Sequence, residues 1–252
     1  MLISRYLLRC QAVEKTDTLR VQAIFEAAFR EYGMPQAIRT DNGAPFASTA
    51  LAGLSRLAVW WIKLGIVPER IAAGHPEQNG RHERLHRTLK QEVAVPPAQD
   101  RRGQQRELDR FRQEYNQVRP HEALGIETPA RVYQPSEREY SQPLPEPEYP
   151  RTMLVRSVKS RGIFRWQKQD VFLSEVLWGE RIGLLPVDGR WYTVYFMQVP
   201  LGRFDSWQRR VLPLSRSLSF ETDEAGAGEV SPSPAPLPLE AGAEKVSGMC
   251  PV

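Results

Sequence analysis

The chain has no apolar run near the ~18 consecutive residues that a membrane span requires, which argues against an integral membrane protein. Its first ten residues, MLISRYLLRC, reach Arg5 early and contain no small-residue cleavage site, so they do not read as a signal peptide. Cysteine is scarce. Only Cys10 and Cys250 occur, at opposite ends, which excludes a disulfide framework or a cysteine-rich zinc site and points to a reducing cytoplasm. Acid is missing from the first thirteen residues, Glu14 being the first. No aromatic residue follows Phe220, and no internal repeat is present.

The 252 residues are enough for one or two domains with a real core, and 41% hydrophobic and 25% charged content are ordinary for a globular chain. The net charge of +4 is unevenly placed. Ser217 to Val252 carries six acids and one base, a charge of −5 that leaves +9 on residues 1–216. A body so basic prefers polyanions. The tail, residues 216–252, is rich in Pro, Gly, Ala, Ser and Glu and is predicted to be disordered, because it cannot bury enough apolar surface to offset ordering. Residues 142–150 (QPLPEPEYP) form a Pro-rich linker between two blocks.

In the first block, residues 1–141, the pattern predicts a strand over Ile3–Val13 and a helix over Thr16–Tyr32 stopped by Gly33. A strand over Ala37–Thr40 follows, then a helix over Ser48–Leu64 and an extended piece over Pro68–Ile71. Two polar helices follow, over Gln78–Glu92 and Gln99–Asn116. This order is an α/β layout. Trp60 and Trp61, spaced with Leu57 and Leu64, read as core. In the second block, residues 151–215, five short runs of strand formers punctuated by turns such as Asp188-Gly189 predict a small antiparallel β-barrel.

Two carboxylates carry the chemical interest. Asp41 follows a strand and precedes Asn42-Gly43, a place where α/β sheets present ligands, although an Asp-Asn turn alone would explain it. Glu83 opens a helix after a Pro/Gly loop, with Arg87 and Lys90 four and seven positions on, which is also an ordinary surface pairing. Its company is Arg81, His82, Arg84, His86, Arg87 and Lys90, as befits a carboxylate beside a phosphodiester. His82, His86 and His121 read as imidazoles facing DNA or solvent rather than metal ligands. Arg156, Lys159, Arg161, Arg165 and Lys168 alternate with Phe164 and Trp166, a pattern that suits either DNA backbone contact or a solvated face over a core.

Asp41-Asn42-Gly43, followed 42 positions later by Glu83 within Asn79-Gly80-Arg81-His82-Glu83-Arg84, resembles the second and third acids of the DDE integrase/transposase core. Tyr115-Asn116-x-x-Arg119-Pro120-His121-Glu122-Ala123-Leu124-Gly125, with Thr128-Pro129-Ala130, resembles the end of that core in IS481-like insertion-sequence transposases. The resemblance covers residues 1–141 and, more weakly, the barrel. It implies a partial RNase H-like core, an SH3-like barrel, and catalytic acids that hold Mg²⁺ or Mn²⁺ for phosphodiester transesterification. Asp41 and Glu83 match the acids. Asn79, Arg81, Arg87, Lys90, Arg156, Lys159, Arg161 and Arg165 are the implied DNA contacts.

No acid matches the family's first, which lies on a strand before the one that Ser4–Leu8 resembles. The expectation is an N-terminally truncated transposase with weakened metal binding and no activity alone. Such a chain would act on transposon ends and target DNA in a bacterial, nucleoid-associated setting. It would assemble with itself or with full-length transposase and touch no membrane. The alternative is a non-catalytic DNA-binding or assembly protein that modulates a full-length transposase. The strand at Ile3–Val13 is expected to have an unpaired edge, and the linker to leave the barrel independent.

Overall fold

The computed structural model describes residues 4–41, 43–70, 80–94, 98–214, 245–246 and 249–251. The fold is α/β, with parallel and antiparallel sheets. No helix among the described residues is long and apolar enough to cross a membrane.

The first elements are β1 (Arg9–Gln11), α1 (Thr18–Tyr32) and β2 (Ala37–Thr40). The strand predicted over Ile3–Val13 shrinks to β1; Arg5 turns the preceding chain at a positive φ of 57°. α1 starts where Asp17 accepts the Arg20 N–H, satisfying a helix-end donor. It stops at Gly33, whose φ of 77° suits glycine and where a Cβ would lie 2.1 Å from the Ser136 carbonyl oxygen.

The helix predicted over Ser48–Leu64 is shorter. A 3₁₀ turn at Leu51–Gly53 precedes α2 (Arg56–Lys63), because Ala52 and Gly53 take positive φ and Ser55 caps the helix by accepting the Ala58 N–H. β3 (Val67–Arg70) lies parallel to β2. α3 (Gly80–Leu89) runs into a π-helical turn at Lys90–Ala94, and α4 (Arg101–Gln117) is capped by Asp100. α5 (Pro129–Val132) follows, with Pro at its start.

The second block holds β4 (Leu154–Ser157), β5 (Ile163–Trp166), β6 (Gln169–Phe172), β7 (Arg181–Pro186), β8 (Trp191–Phe196), β9 (Val199–Asp205) and β10 (Arg210–Pro213). Five strands form one antiparallel sheet in the order β10-β9-β8-β7-β4, and β5-β6 is a separate hairpin. The sheet is therefore not closed by hydrogen bonds into the expected barrel. Sequence reasoning missed β9 and β10. Pro200 sits at a register shift opposite Tyr195, and Gly202 lets Leu212 approach, where a Cβ would lie 2.5 Å from its carbonyl oxygen.

Three apolar clusters hold the molecule together. Val21, Phe25 and Phe29 of α1 pack on Leu57, Trp60 and Trp61 of α2, so the two tryptophans are core as predicted. Leu7 and Cys10 pack on Leu89, Val93, Leu108 and Phe111. The largest cluster joins Phe164, Trp166, Ile182, Val194 and Phe204 of the β-rich part to Leu54, Ala58, Val59 and Ile62 around α2. α2 thus has apolar residues on both sides and serves two cores, as a helix buried all round should.

The Pro-rich segment is also tied down. Leu144 packs on the α1–α2 core, and the Tyr149 hydroxyl donates to Arg181 O at 2.7 Å and accepts the Met197 N–H at 3.0 Å. The two blocks share packing, contrary to the expected decoupling.

β1 and β2 are not paired with each other. β11 (Lys245–Val246) runs parallel to β2 and β12 (Met249–Pro251) parallel to β1. One edge of β1 is therefore paired, the other has no strand partner among the described residues, and these residues of the expected disordered tail are strands. Residues 216–244, 247–248 and 252, the remainder of that expectation, lie outside the described residues.

Candidate functional site

Asp41 leaves the C-terminal end of β2, and its Oδ1 accepts the Gly43 N–H at 3.1 Å. The turn thus holds the carboxylate at an exposed sheet end, where one oxygen remains free of that bond. On the next strand Glu69 accepts two bonds from Arg39, at 3.1 and 2.8 Å, which fixes the register of β2 against β3 beside the site.

Glu83 lies in the first turn of α3, where negative charge suits the helix dipole. Glu83 and Arg87, four residues apart, are both exposed. Lys90 is exposed as well, but it begins the π-helical turn rather than completing the predicted α-helical face. Asn79 and the side chain of Arg81 lie outside the described residues. Among the described residues, no three of His, Cys, Asp and Glu gather as a metal site would require. Asp41 and Glu83 are each exposed, and neither belongs to such a cluster.

The motif around Tyr115–Gly125 is structural. Asn116 is buried and pairs with the backbone of Leu7 in both directions, accepting its N–H at 2.9 Å and donating to its carbonyl at 3.0 Å. Arg119 donates to Glu92 of the π turn at 2.8 Å and to Glu114 at 3.4 Å. Glu92 thereby raises the guanidinium pKa. His121 packs edge-on against Tyr115, and burial with Arg5 and Arg119 nearby lowers its pKa, keeping the imidazole neutral. Together these contacts fasten the end of α4 to the segment before β1 and to the end of α3.

The basic strand around β5 divides by position. Phe164 and Trp166 are buried, so the aromatic residues are core. Arg165 points outward between them and stands 3.9 Å from Asp170, its cross-strand partner. Arg156 is half-buried, its guanidinium 5.7 Å from the Trp166 ring centre, which ties it to the surface. Lys159 and Arg161 are exposed in the turn before β5, with Arg161 at a φ of 63°. These four do not form one equivalent row. Lys159 and Arg161 are the least engaged.

A second basic group escaped sequence reasoning. Arg190 and Arg203 flank Trp191, and Arg190 also faces Trp207. Their separation along the chain hid them, because only the β8–β9–β10 pairing brings them together.

A family model described as "Integrase core domain" matches residues 64–129, which include Glu83 and the Asn116–Arg119 motif but not Asp41. The chain is 33% identical over 78 residues, 31% of its length, to the Gag-Pol polyprotein of baboon endogenous virus (strain M7), of which it covers 4%. It is 32% identical over 113 residues, 44% of its length, to an uncharacterized 31.7 kDa protein of insertion element IS407 from Burkholderia multivorans, of which it covers 39%. The chain thus spans well under half of these relatives. Among solved structures, the simian T-cell lymphotropic virus intasome, in complex with PP2A regulatory subunit B56 gamma, matches with TM-score 0.40 and 15% identity. That match covers 75% of this chain and 65% of the other.

Proposed function

We propose that the chain carries a DDE integrase/transposase core and acts on DNA as part of an insertion-sequence transposase, a reading supported by the matched segment and the relatives. The observation that carries this reading is Glu83. It lies inside the matched segment, in the first turn of α3, exposed on a helix that also bears Arg87. The α/β part is then a partial RNase H-like core over residues 1–141, and the β-rich part over 151–215 an open relative of the SH3-like barrel. Arg87, Lys90, Lys159, Arg161 and Arg165 contact phosphates, with Asn79, Arg81 and Arg156 as further contacts. The substrates are transposon ends and target DNA, bound by an assembly with a second copy or with full-length transposase.

Asp41 and Glu83 are hard oxygen donors of the kind that suit Mg²⁺ or Mn²⁺. Such ions, when bound, activate the attacking oxygen and stabilise the leaving oxygen at phosphorus. The donor chemistry fits, but among the described residues no three of His, Cys, Asp and Glu gather around either acid to complete a site. Residues 1–252 alone therefore hold the ion weakly and join no DNA ends. The test is a strand-joining assay with Mg²⁺ or Mn²⁺ on the unaltered chain, Asp41→Asn and Glu83→Gln. The expected result is one shared background level. Joining by the unaltered chain above both variants would show a complete site and overturn the inactive reading.

The absence of such a gathering among the described residues also favours a second reading, a non-catalytic chain that modulates full-length transposase. Added to an active transposase of the same element, it would change the joining rate, and Asp41→Asn would do so equally. A role that needs the carboxylate would separate the two.

A further inference from the structure

Trp207 is the most exposed tryptophan among the described residues, 71% exposed, yet it stands on a heavily hydrogen-bonded turn. The turn Ser206–Arg209 joins β9 to β10. Asp205, 0% exposed, accepts the N–H groups of Trp207 at 3.0 Å and Gln208 at 3.1 Å. Asp205 also takes a two-pronged contact from Arg190, at 3.0 Å to Oδ1 and 2.5 Å to Oδ2. Ser206 closes the arrangement, its N–H and hydroxyl both donating to Arg190 O at 3.0 and 2.7 Å. A fork held this way cannot rotate freely.

The fixed guanidinium lies between two indoles. The Arg190 Cζ is 5.0 Å from the Trp191 ring centre and 5.1 Å from that of Trp207. Arg203 lies 5.2 Å from the Trp191 ring centre. The series Arg203, Trp191, Arg190, Trp207 alternates cation and aromatic plane and ends on the exposed indole. No ring stacks on Trp207 among the described residues. Arg209 and Arg210, which follow it in the chain, are exposed, as is Arg203 on the far side of Trp191 in that series. The nearby acids are Asp205, which is spent on Arg190, and Asp188, which accepts the N–H groups of Arg190 and Trp191 at 2.7 and 2.8 Å.

We propose that Trp207 is a stacking platform for an unpaired nucleobase, with the surrounding arginines holding the attached phosphates. The partner must offer a planar face and negative charge together, and a nucleotide offers both. It must also be unpaired. A single strand or an overhang presents a free base face, whereas an indole entering a duplex must first unstack paired bases. This rests on the reading of the chain as DNA-binding and adds to it a preference for single-stranded over blunt DNA.

The experiment uses the full chain and two probes, a short oligothymidine and a blunt duplex of equal length, with affinity and tryptophan fluorescence as readouts. Base–aromatic stacking implies a roughly 5- to 150-fold loss of oligothymidine affinity in Trp207→Ala. Blunt-duplex affinity should be unchanged, and Trp207→Phe should retain most oligothymidine binding. Oligothymidine should quench fluorescence in the unaltered chain and less in Trp207→Ala. Because Trp207 is exposed, its removal leaves the core intact, and a circular dichroism spectrum checks this. Equal loss for both probes, or no loss for either, would overturn the stacking site while leaving DNA binding in place. Failure of the unaltered chain to bind either probe would instead overturn the DNA reading itself.

Discussion

Lys63, the last residue of α2, donates to both carboxylate oxygens of Glu180, at 2.9 and 3.0 Å, across 117 positions of sequence. The pair is largely shielded on both sides, and it clamps α2 to the turn that feeds β7. It is the polar edge of the contact that places Ala58, Val59 and Ile62 in the β-rich core while Leu57, Trp60 and Trp61 face α1.

The two parts should therefore unfold together. Ile62→Ala removes a fully enclosed side chain and should cost about 2–5 kcal/mol. Hydrogen exchange under mild denaturant would follow α1 and β8 separately. Both should lose protection at the same denaturant concentration in the variant. Loss in only one would mean that the cores are independent.

Asn116 presents a second long-range link, and its removal isolates the effect. Asn116→Ala leaves both the Leu7 N–H and carbonyl without their partner, which should cost about 1–3 kcal/mol. Thermal denaturation would measure the loss. A cost under about 0.5 kcal/mol, the range of an ordinary surface change, would show that the pairing contributes little.

Much of this was legible in the sequence. α1, β2, β7 and β8 follow from periodicity and end signals such as Asp17 and Gly33, because those cues are local. α2 was drawn too long because Ser48 and Ser55 are equally good caps by type, and only the backbone at Ala52 and Gly53 selects the second. β9 was hidden by Pro200 and Gly202, whose tolerance depends on the neighbouring strands. The candidate acids were legible as types at a spacing. The Arg190–Trp207 group was not, since it exists only once three strands are in register.

The C-terminal pairing gives a direct chemical test. β12 sets residue 250 opposite Cys10 in register. Mild oxidation should therefore link Cys10 to Cys250 within one chain, and non-reducing peptide mapping would identify the bridge. Burial pushes the Cys10 thiol up to about 12, so the link should form slowly at neutral pH and faster as pH rises. Exclusively intermolecular bridges would contradict the pairing.

Asp205 makes acid stability informative. The Arg190 hydrogen bond, followed by the N–H groups of Gln208 and Trp207, holds its carboxyl well below the usual range. A lowered folded value stabilises the fold above the unfolded value of about 3.9, and that contribution fades as pH falls through the folded value. The melting temperature of the unaltered chain should thus drop more steeply below about pH 4 than that of Asp205→Asn. Parallel curves would show that the Arg190–Asp205 fork does not hold the turn.

The salt dependence of duplex binding reads out the proposed phosphate contacts. Each phosphate neutralised adds about −0.9 to the slope of log affinity against log salt. Arg161→Ala with Arg165→Ala should flatten the slope by up to ~2 units with little change in sequence preference. A slope identical to that of the unaltered chain would place both arginines in solvent and contradict the assignment of the β5 region to DNA.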